Sequence, residues 1–462
     1  MIGKLAQQEI DQKANVIEDL AKRIWENPEL AYHEVKASEW TAQVLKDEGF
    51  EVETGYVGLP TAIKATWGSG KPVIGFLGEY DALPGLSQKV DPTKKDPIVE
   101  GGPGHGCGHN LLGAAHVGAV IGIKKEMEEK KLSGTIIFYG CPAEELLTGK
   151  TFMARGGAFK ELDMAFAWHP GADNQLTNGA MTALNSAKFH FKGKTAHAGA
   201  DPQNGRSALD SAEIMSVGAN YLREHVTDDV RIHYVYTDAG TAPNIVPDTA
   251  TVWYYVRALT RDAVVDTYDR LVNVAKGAAL MNGTQVEVEF LGGCYNTLQN
   301  NVVLNLLHDT MEELGPQDWS QEDIEFAEKF NANSATYPKL VESGAVEKGV
   351  QLANTIPPIV TVNSFGSTDV GDVTHITPAV IFMTAAAPLG SVFHHWLNTA
   401  SMGHDVGMRG MLYASKVMAT SALKAIEDPS IIEAAQAEFK KSTNGKEYVC
   451  PIPADVPIPG VE

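Results

Sequence analysis

The chain has 462 residues, 44% of them hydrophobic and 21% charged, which is too long for one ordinary core and leads us to expect two domains. A formal net charge of -21 with no basic cluster disfavours a polyanionic partner such as nucleic acid. No apolar stretch has the length of a signal-peptide core or a membrane span, so a cytoplasmic protein with no membrane partner is expected.

The predicted elements alternate from the start. Helical spacing covers 10–25 and 34–48, and the continuous apolar run 73–77 reads as a strand buried on both faces. A polar, Pro/Gly-rich loop over 85–104 leads to CGHN, after which LLGAAHVGAVIGIKKEMEEKK reads as a helix. The strand TIIFYG, a helical turn TGKTFMARGG and the strand DMAFAWHP follow. This alternation predicts an α/β fold, a mostly parallel sheet with helices on both faces.

The pattern changes at about Ala183. From ALNSAKFHFKGK to VEVEFLGG the order is strand, helix, strand, strand, helix, strand, a split β-α-β unit able to form a compact domain. The first pattern resumes near Asn301 and closes with the helical stretch MRGMLYASKVMATSALKAIED. The expected division is therefore 1–182 for the first part of a catalytic domain, 183–296 for an inserted α+β domain, and 297–462 for the second part. The tail after Tyr448 is Pro-rich and reads as an extended strap or a disordered end. Four cysteines, Cys107, Cys141, Cys294 and Cys450, make no disulfide framework in a chain of this length and fit a reducing compartment.

Side chains able to hold a metal recur just past predicted strands or at a helix start, where an open α/β sheet gathers its site. GEYDALPG supplies Glu79 and Asp81, GHGCGHN supplies Cys107 and His109, and GCPAEE supplies Glu144 and Glu145. AWHPG supplies His169, and VFHHW supplies His394 and His395. Each alone has an ordinary reading: a hydrogen-bonded histidine, a buried thiol, a solvated carboxylate pair. Their coincidence at one sheet edge points to a metal centre, and thiolate, imidazole and carboxylate together suit Zn or Mn rather than Ca or Mg. In such a centre one carboxylate of the Glu pair can coordinate while the other handles a proton.

Taken in order, WENPELAYHE, GEYDALPG, GHGCGHN, GCPAEE, AWHPG, GKTAHAGADPQNGRSALD, NIVPDTATVWYYVR and STDVGDV resemble the family-20 metallopeptidases. Within that family they are most similar to the amidohydrolase branch that contains the aminobenzoyl-glutamate hydrolases. The resemblance implies a catalytic domain with two divalent ions, Zn or Mn, and an inserted lid or dimerisation domain. It implies metal ligands at Cys107, His109, Glu145, His169 and His394, with His395 and His404 the alternatives for the last. Glu144 matches a general base, and Asp81 a carboxylate that orients a ligand histidine. His197 matches a histidine that reaches the site of the other protomer and steadies an oxyanion, and Asn244 and Arg257 match residues that contact a substrate carboxylate.

The implied activity is metal-dependent hydrolysis of an amide bond in an N-acyl amino acid, an aroyl-glutamate among them. The rivals are a dipeptidase of the same family and a non-catalytic protein that binds metal or peptide within a larger assembly. A homodimer through the inserted domain is expected, with a hetero-oligomer as the alternative.

Overall fold

The run at 73–77 forms strand β3 (Val73–Glu79), every residue of which is buried. The computed structural model describes residues 2–459, and β3 lies inside a six-stranded sheet. The others are β1 (Glu51–Thr54), β2 (Ile63–Ser69), β4 (Gly134–Cys141), β5 (Met164–Gly171) and β10 (Ala379–Ala385), in the order β1-β2-β4-β3-β5-β10. Pairings of β3 with β4, β3 with β5 and β5 with β10 are parallel, while β1 and β2 add an antiparallel edge.

Strand alternation divides the interior into two apolar layers. Ile74, Phe76, Ile136, Phe138, Met164, Phe166 and Trp168 face one core, and Val73, Leu77, Ile137, Tyr139 and Ala165 face the other. The first is covered by the helices His109–Lys130 and Asp405–Glu427, which meet where Ser415 Oγ donates to the Ala115 carbonyl at 2.8 Å. The second is covered by the helix Gly149–Arg155, through Phe152, Met153 and Ala154.

Strands β6 (Ala183–Lys192), β7 (Arg231–Asp238), β8 (Thr249–Ala258) and β9 (Gln285–Cys294) form a separate antiparallel sheet in the order β7-β8-β6-β9. In β8, Ala250, Val252, Tyr254, Val256 and Ala258 are buried in a core shared with the helices Ala208–Leu222 and Arg261–Asn282. The intervening Trp253, Tyr255 and Arg257 therefore occupy the face away from those helices.

One expectation is corrected in detail and one pair of alternatives is resolved. The helix expected over 10–25 is split into Lys4–Gln12 and Ala14–Glu26, with Lys13 outside helical geometry. The tail is an ordered strap: Ile452 is buried, Arg155 Nη1 donates to the Pro453 and Val456 carbonyls at 2.8 Å each, and Tyr448 Oη donates to Asp372 Oδ1 at 2.6 Å. The four cysteines are free, and among the described residues no helix is long and apolar enough to cross a membrane.

Candidate metal centre

The loops leaving the carboxyl ends of β3, β4, β5 and β10 meet the start of the helix His109–Lys130, and the expected ligands converge there. Gly108 turns the chain into that helix with φ of 90°, a left-handed conformation that suits glycine. A Cβ at this position would also lie 2.6 Å from Met402 Sδ and from Pro170 Cγ. Cys107 and His109 flank this turn. Ala143, Leu147 and His394 also carry positive φ values of 57°, 57° and 59°. Such conformations are costly outside glycine, and these bracket the Glu144–Glu145 turn and set the entry of His394.

Asp81 organises the centre. Its Oδ1 accepts the Nδ1–H of His109 at 2.9 Å, and its Oδ2 accepts the backbone N–H of Glu145 at 2.9 Å. Burial would raise the Asp81 pKa, but His109 and the Glu145 N–H hold it below the usual carboxylate range. His169 is oriented in the same way, its Nδ1–H donating to the Pro170 carbonyl at 2.9 Å. Its Nε2 is thereby an acceptor, 3.2 Å from Cys107 Sγ. Burial lowers the His169 pKa to about 4 and keeps it neutral, as a ligand must be. His394 Nε2 lies 3.4 Å from Glu145 Oε2.

Donor atoms of Cys107, His109 and His169 form one group within 4.8 Å of one another, and those of Cys107, Glu145 and His394 form a second. Cys107 is common to both. A third group joins Glu79, His109 and Glu144. His109 Nε2 and Glu145 Oε1 are buried without a hydrogen-bond partner, the condition expected of groups whose partner is a cation. The sulfur, nitrogen and oxygen donors fit a divalent transition metal such as Zn or Mn.

The other two histidine candidates are engaged elsewhere. His395 Nδ1 accepts the Leu397 N–H at 3.3 Å, capping the helix Trp396–Met402. His404 caps the helix Asp405–Glu427 through Val406 N–H at 3.2 Å and stacks on Phe326 with ring centroids 3.7 Å apart. A fourth grouping, His308, Asp309 and Glu312, lies on a largely exposed helix face remote in sequence from these loops.

The centre opens into a cavity of about 330 Å³. Cys107, Glu144, Glu145, His169 and His394 line one side, and Tyr255 and Arg257 of β8 line another. Arg257 Nη1 donates to Ser367 Oγ at 3.2 Å, while its Nε is buried and unpaired. Met181, Ile381, Met383 and Phe393 supply apolar walls, and the Phe393 ring meets His169 edge-on at 5.0 Å. His197 and Asn244 do not line this cavity. They lie beside each other on the inserted domain, where the Ala198 N–H donates to the Asn244 carbonyl at 2.9 Å. His197 is exposed, and its Nδ1 accepts the N–H groups of Gly199 at 3.2 Å and Ala200 at 3.0 Å, so the ring proton is on Nε2.

Some buried polar groups around the centre were not legible as site residues. Glu34 accepts the Ala143 N–H at 2.8 Å and the Thr61 hydroxyl at 3.0 Å, bracing the turn before the Glu pair. Lys150 is fully buried, its Nζ 2.5 Å from Glu79 Oε1 and 2.7 Å from Asp369 Oδ1. The motifs LAYHE and STDVGDV contained Glu34 and Asp369, but nothing local marks either as interior.

A buried thiol, imidazoles and carboxylates converging on a cavity at the carboxyl ends of a largely parallel sheet define a metal-dependent hydrolase of amide or peptide bonds. The profile of the peptidase family M20/M25/M40 matches residues 75–396, and the chain belongs to that family. It is 37% identical, over 95% of each chain, to one of the p-aminobenzoyl-glutamate hydrolase subunits of Escherichia coli. It is 27% identical to the mouse Xaa-Arg dipeptidase, over 95% of this chain and 92% of the relative. A dinuclear metal-binding peptidase of Bacillus subtilis shares the fold with a TM-score of 0.60 and 18% identity, covering 90% of this chain and 99% of that one.

Proposed function

We propose that this protein hydrolyses the amide bond of N-acyl amino acids that carry a free carboxylate, with aroyl-glutamates the leading substrate class. The observation that carries the reading is the pair of donor groups sharing Cys107 on the wall of a cavity that also holds Glu144 and Arg257. The name of the Escherichia coli relative supports the substrate class.

Cys107, His109, Glu145, His169 and His394 are the proposed ligands of two divalent ions, Zn or Mn. Bound there, the ions would polarise the scissile carbonyl and lower the pKa of water. Glu144 is the proposed general base, taking a proton from the attacking water and returning it to the departing amine. Burial, with Glu79 beside it, already raises its proton affinity well above that of an ordinary carboxylate. Asp81 holds His109 in the tautomer that aims Nε2 at the centre.

Arg257 is the proposed anchor for the substrate carboxylate, and the apolar wall of Met181, Met383 and Phe393 receives the acyl group. We assign 183–296 as the lid and dimerisation domain, with His197 of a second copy supplying an N–H to the developing oxyanion and Asn244 contacting the substrate beside it. The Escherichia coli relative is named as one subunit of its enzyme, which keeps a hetero-oligomer as the alternative assembly. A dipeptidase is the rival reading, since a dipeptide also carries a carboxylate for Arg257.

The test is a panel of p-aminobenzoyl-glutamate, N-acetyl-glutamate and simple dipeptides, each with the metal-loaded protein. Fastest release of glutamate from the aroyl compound is expected; faster dipeptide cleavage would overturn the substrate assignment.

A further inference from the structure

Lys150 sits on the buried side of the helix Gly149–Arg155, fully inside the protein. An ammonium is almost never found there unless it is paired. It has two partners: Glu79 Oε1 at 2.5 Å and Asp369 Oδ1 at 2.7 Å. Asp369 Oδ2 in turn accepts the Lys150 backbone N–H at 2.7 Å, so the lysine is fixed at both its head and its main chain. Two carboxylates around one ammonium leave a net negative charge on the cluster.

That charge points at the metal centre. Glu79 Oε2 lies 3.4 Å from His109 Nε2, the buried nitrogen that lacks a hydrogen-bond partner. Glu79, His109 and Glu144 all offer ligand atoms within 4.8 Å of one another. Among the described residues, Lys150 is the one lysine or arginine ion-paired to any of Glu79, Asp81, Glu144 and Glu145.

We infer that Lys150 is a positioning residue acting through Glu79. It engages one carboxylate oxygen, so that a single oxygen, Oε2, faces a cation held by His109 and the proton-handling Glu144. This role rests on the metallohydrolase reading above, and it extends the centre by Lys150, Glu79 and Asp369.

The test compares Co(II)-loaded wild type with Glu79→Gln, Lys150→Met and the double variant, reading visible absorption of the bound Co(II), kcat and KM. In folded Glu79→Gln the Co(II) bands are expected to shift and kcat to fall about 10- to 100-fold, with KM little changed. Lys150→Met is expected to act in the same direction. The double variant should be no slower than Lys150→Met alone, because both substitutions disturb the same oxygen. Folded variants with wild-type bands and kcat, and only a lowered Tm, would overturn the role. If Lys150→Met fails to fold, Lys150→Arg is read in its place, since it keeps the charge but moves the donor off Glu79 Oε1: wild-type bands and kcat in that folded variant would overturn the role. A wild type that bound no Co(II) would overturn the metal centre itself. A loaded, active wild type with silent variants would overturn only the part assigned to Lys150.

Discussion

Asp81 accepts the Nδ1–H of His109 at 2.9 Å, and that bond decides which imidazole nitrogen is presented to the neighbouring donors Cys107, His169, Glu79 and Glu144. The other oxygen of the same carboxylate holds the backbone of Glu145. One buried aspartate thus places a histidine from the start of one helix and a glutamate from the turn after β4. Asp81→Ala is expected to weaken Zn binding about 10- to 100-fold, read by competition with a chelating dye. An unchanged affinity would show that His109 and Glu145 are held by packing alone.

The centre is built to exchange protons for metal. Burial, with Glu145 beside it, pushes the Cys107 thiol far above its ordinary pKa. Burial, with Asp81 adding and His109 opposing, pushes Glu145 from 4.5 to about 7. A carboxyl with a raised folded-state pKa contributes stability fully below its unfolded value, and that contribution is lost as pH rises through about 7. The cation needs thiolate and carboxylate, so its affinity rises with pH as those protons leave. The gain in Tm on adding Zn is therefore expected to be larger at pH 8 than at pH 6, with calorimetry in buffers of different ionisation enthalpy showing proton release. A gain independent of pH would contradict this linkage.

Arg257 has an unpaired Nε, and its Nη1 alone is engaged, donating to Ser367 Oγ at 3.2 Å and to the Phe365 carbonyl at 3.4 Å, so its guanidinium retains donors for a carboxylate. A charge-assisted pair of this kind contributes about 1.5–3 kcal/mol, roughly a tenfold to hundredfold change in binding. Arg257→Met is expected to raise KM by that factor for glutamate-containing substrates while leaving metal content unchanged. The same KM for an amidated analogue as for the free acid in the wild type would remove Arg257 from this role.

His197 and Asn244 stand outside the cavity that the other residues line, on a domain with its own core. If a second copy delivers His197, inactive His197→Ala protein mixed with inactive Glu144→Gln protein should regain turnover that neither has alone. No recovery after demonstrated exchange of protomers would argue for closure within one chain.

Much of this was legible because it is local. The metal-type side chains followed recognisable strands or, for Cys107 and His109, opened a recognisable helix. The choice between a strap and a disordered end for the tail was not legible, because its order depends on Tyr448 reaching Asp372, 76 residues away. Lys150 was hidden for the same reason: in TGKTF it reads as a solvated helix residue, and its partner Asp369 is 219 residues distant. The helix capping by His395 and the capping and stacking by His404 were not legible either, since they leave no local trace. The break at Lys13 interrupts a helical apolar pattern that continues on both sides of it, so spacing alone did not show it.

The most direct test of the central claim joins metal content to turnover in one variant. Wild type stripped by chelator and reloaded with Zn or Mn should bind two ions per chain and hydrolyse p-aminobenzoyl-glutamate. Glu144→Gln should bind the same two ions, with kcat lowered about 10²- to 10⁴-fold. Turnover in the Glu144→Gln protein equal to wild type, or hydrolysis that survives complete removal of metal, would contradict the mechanism assigned to this site.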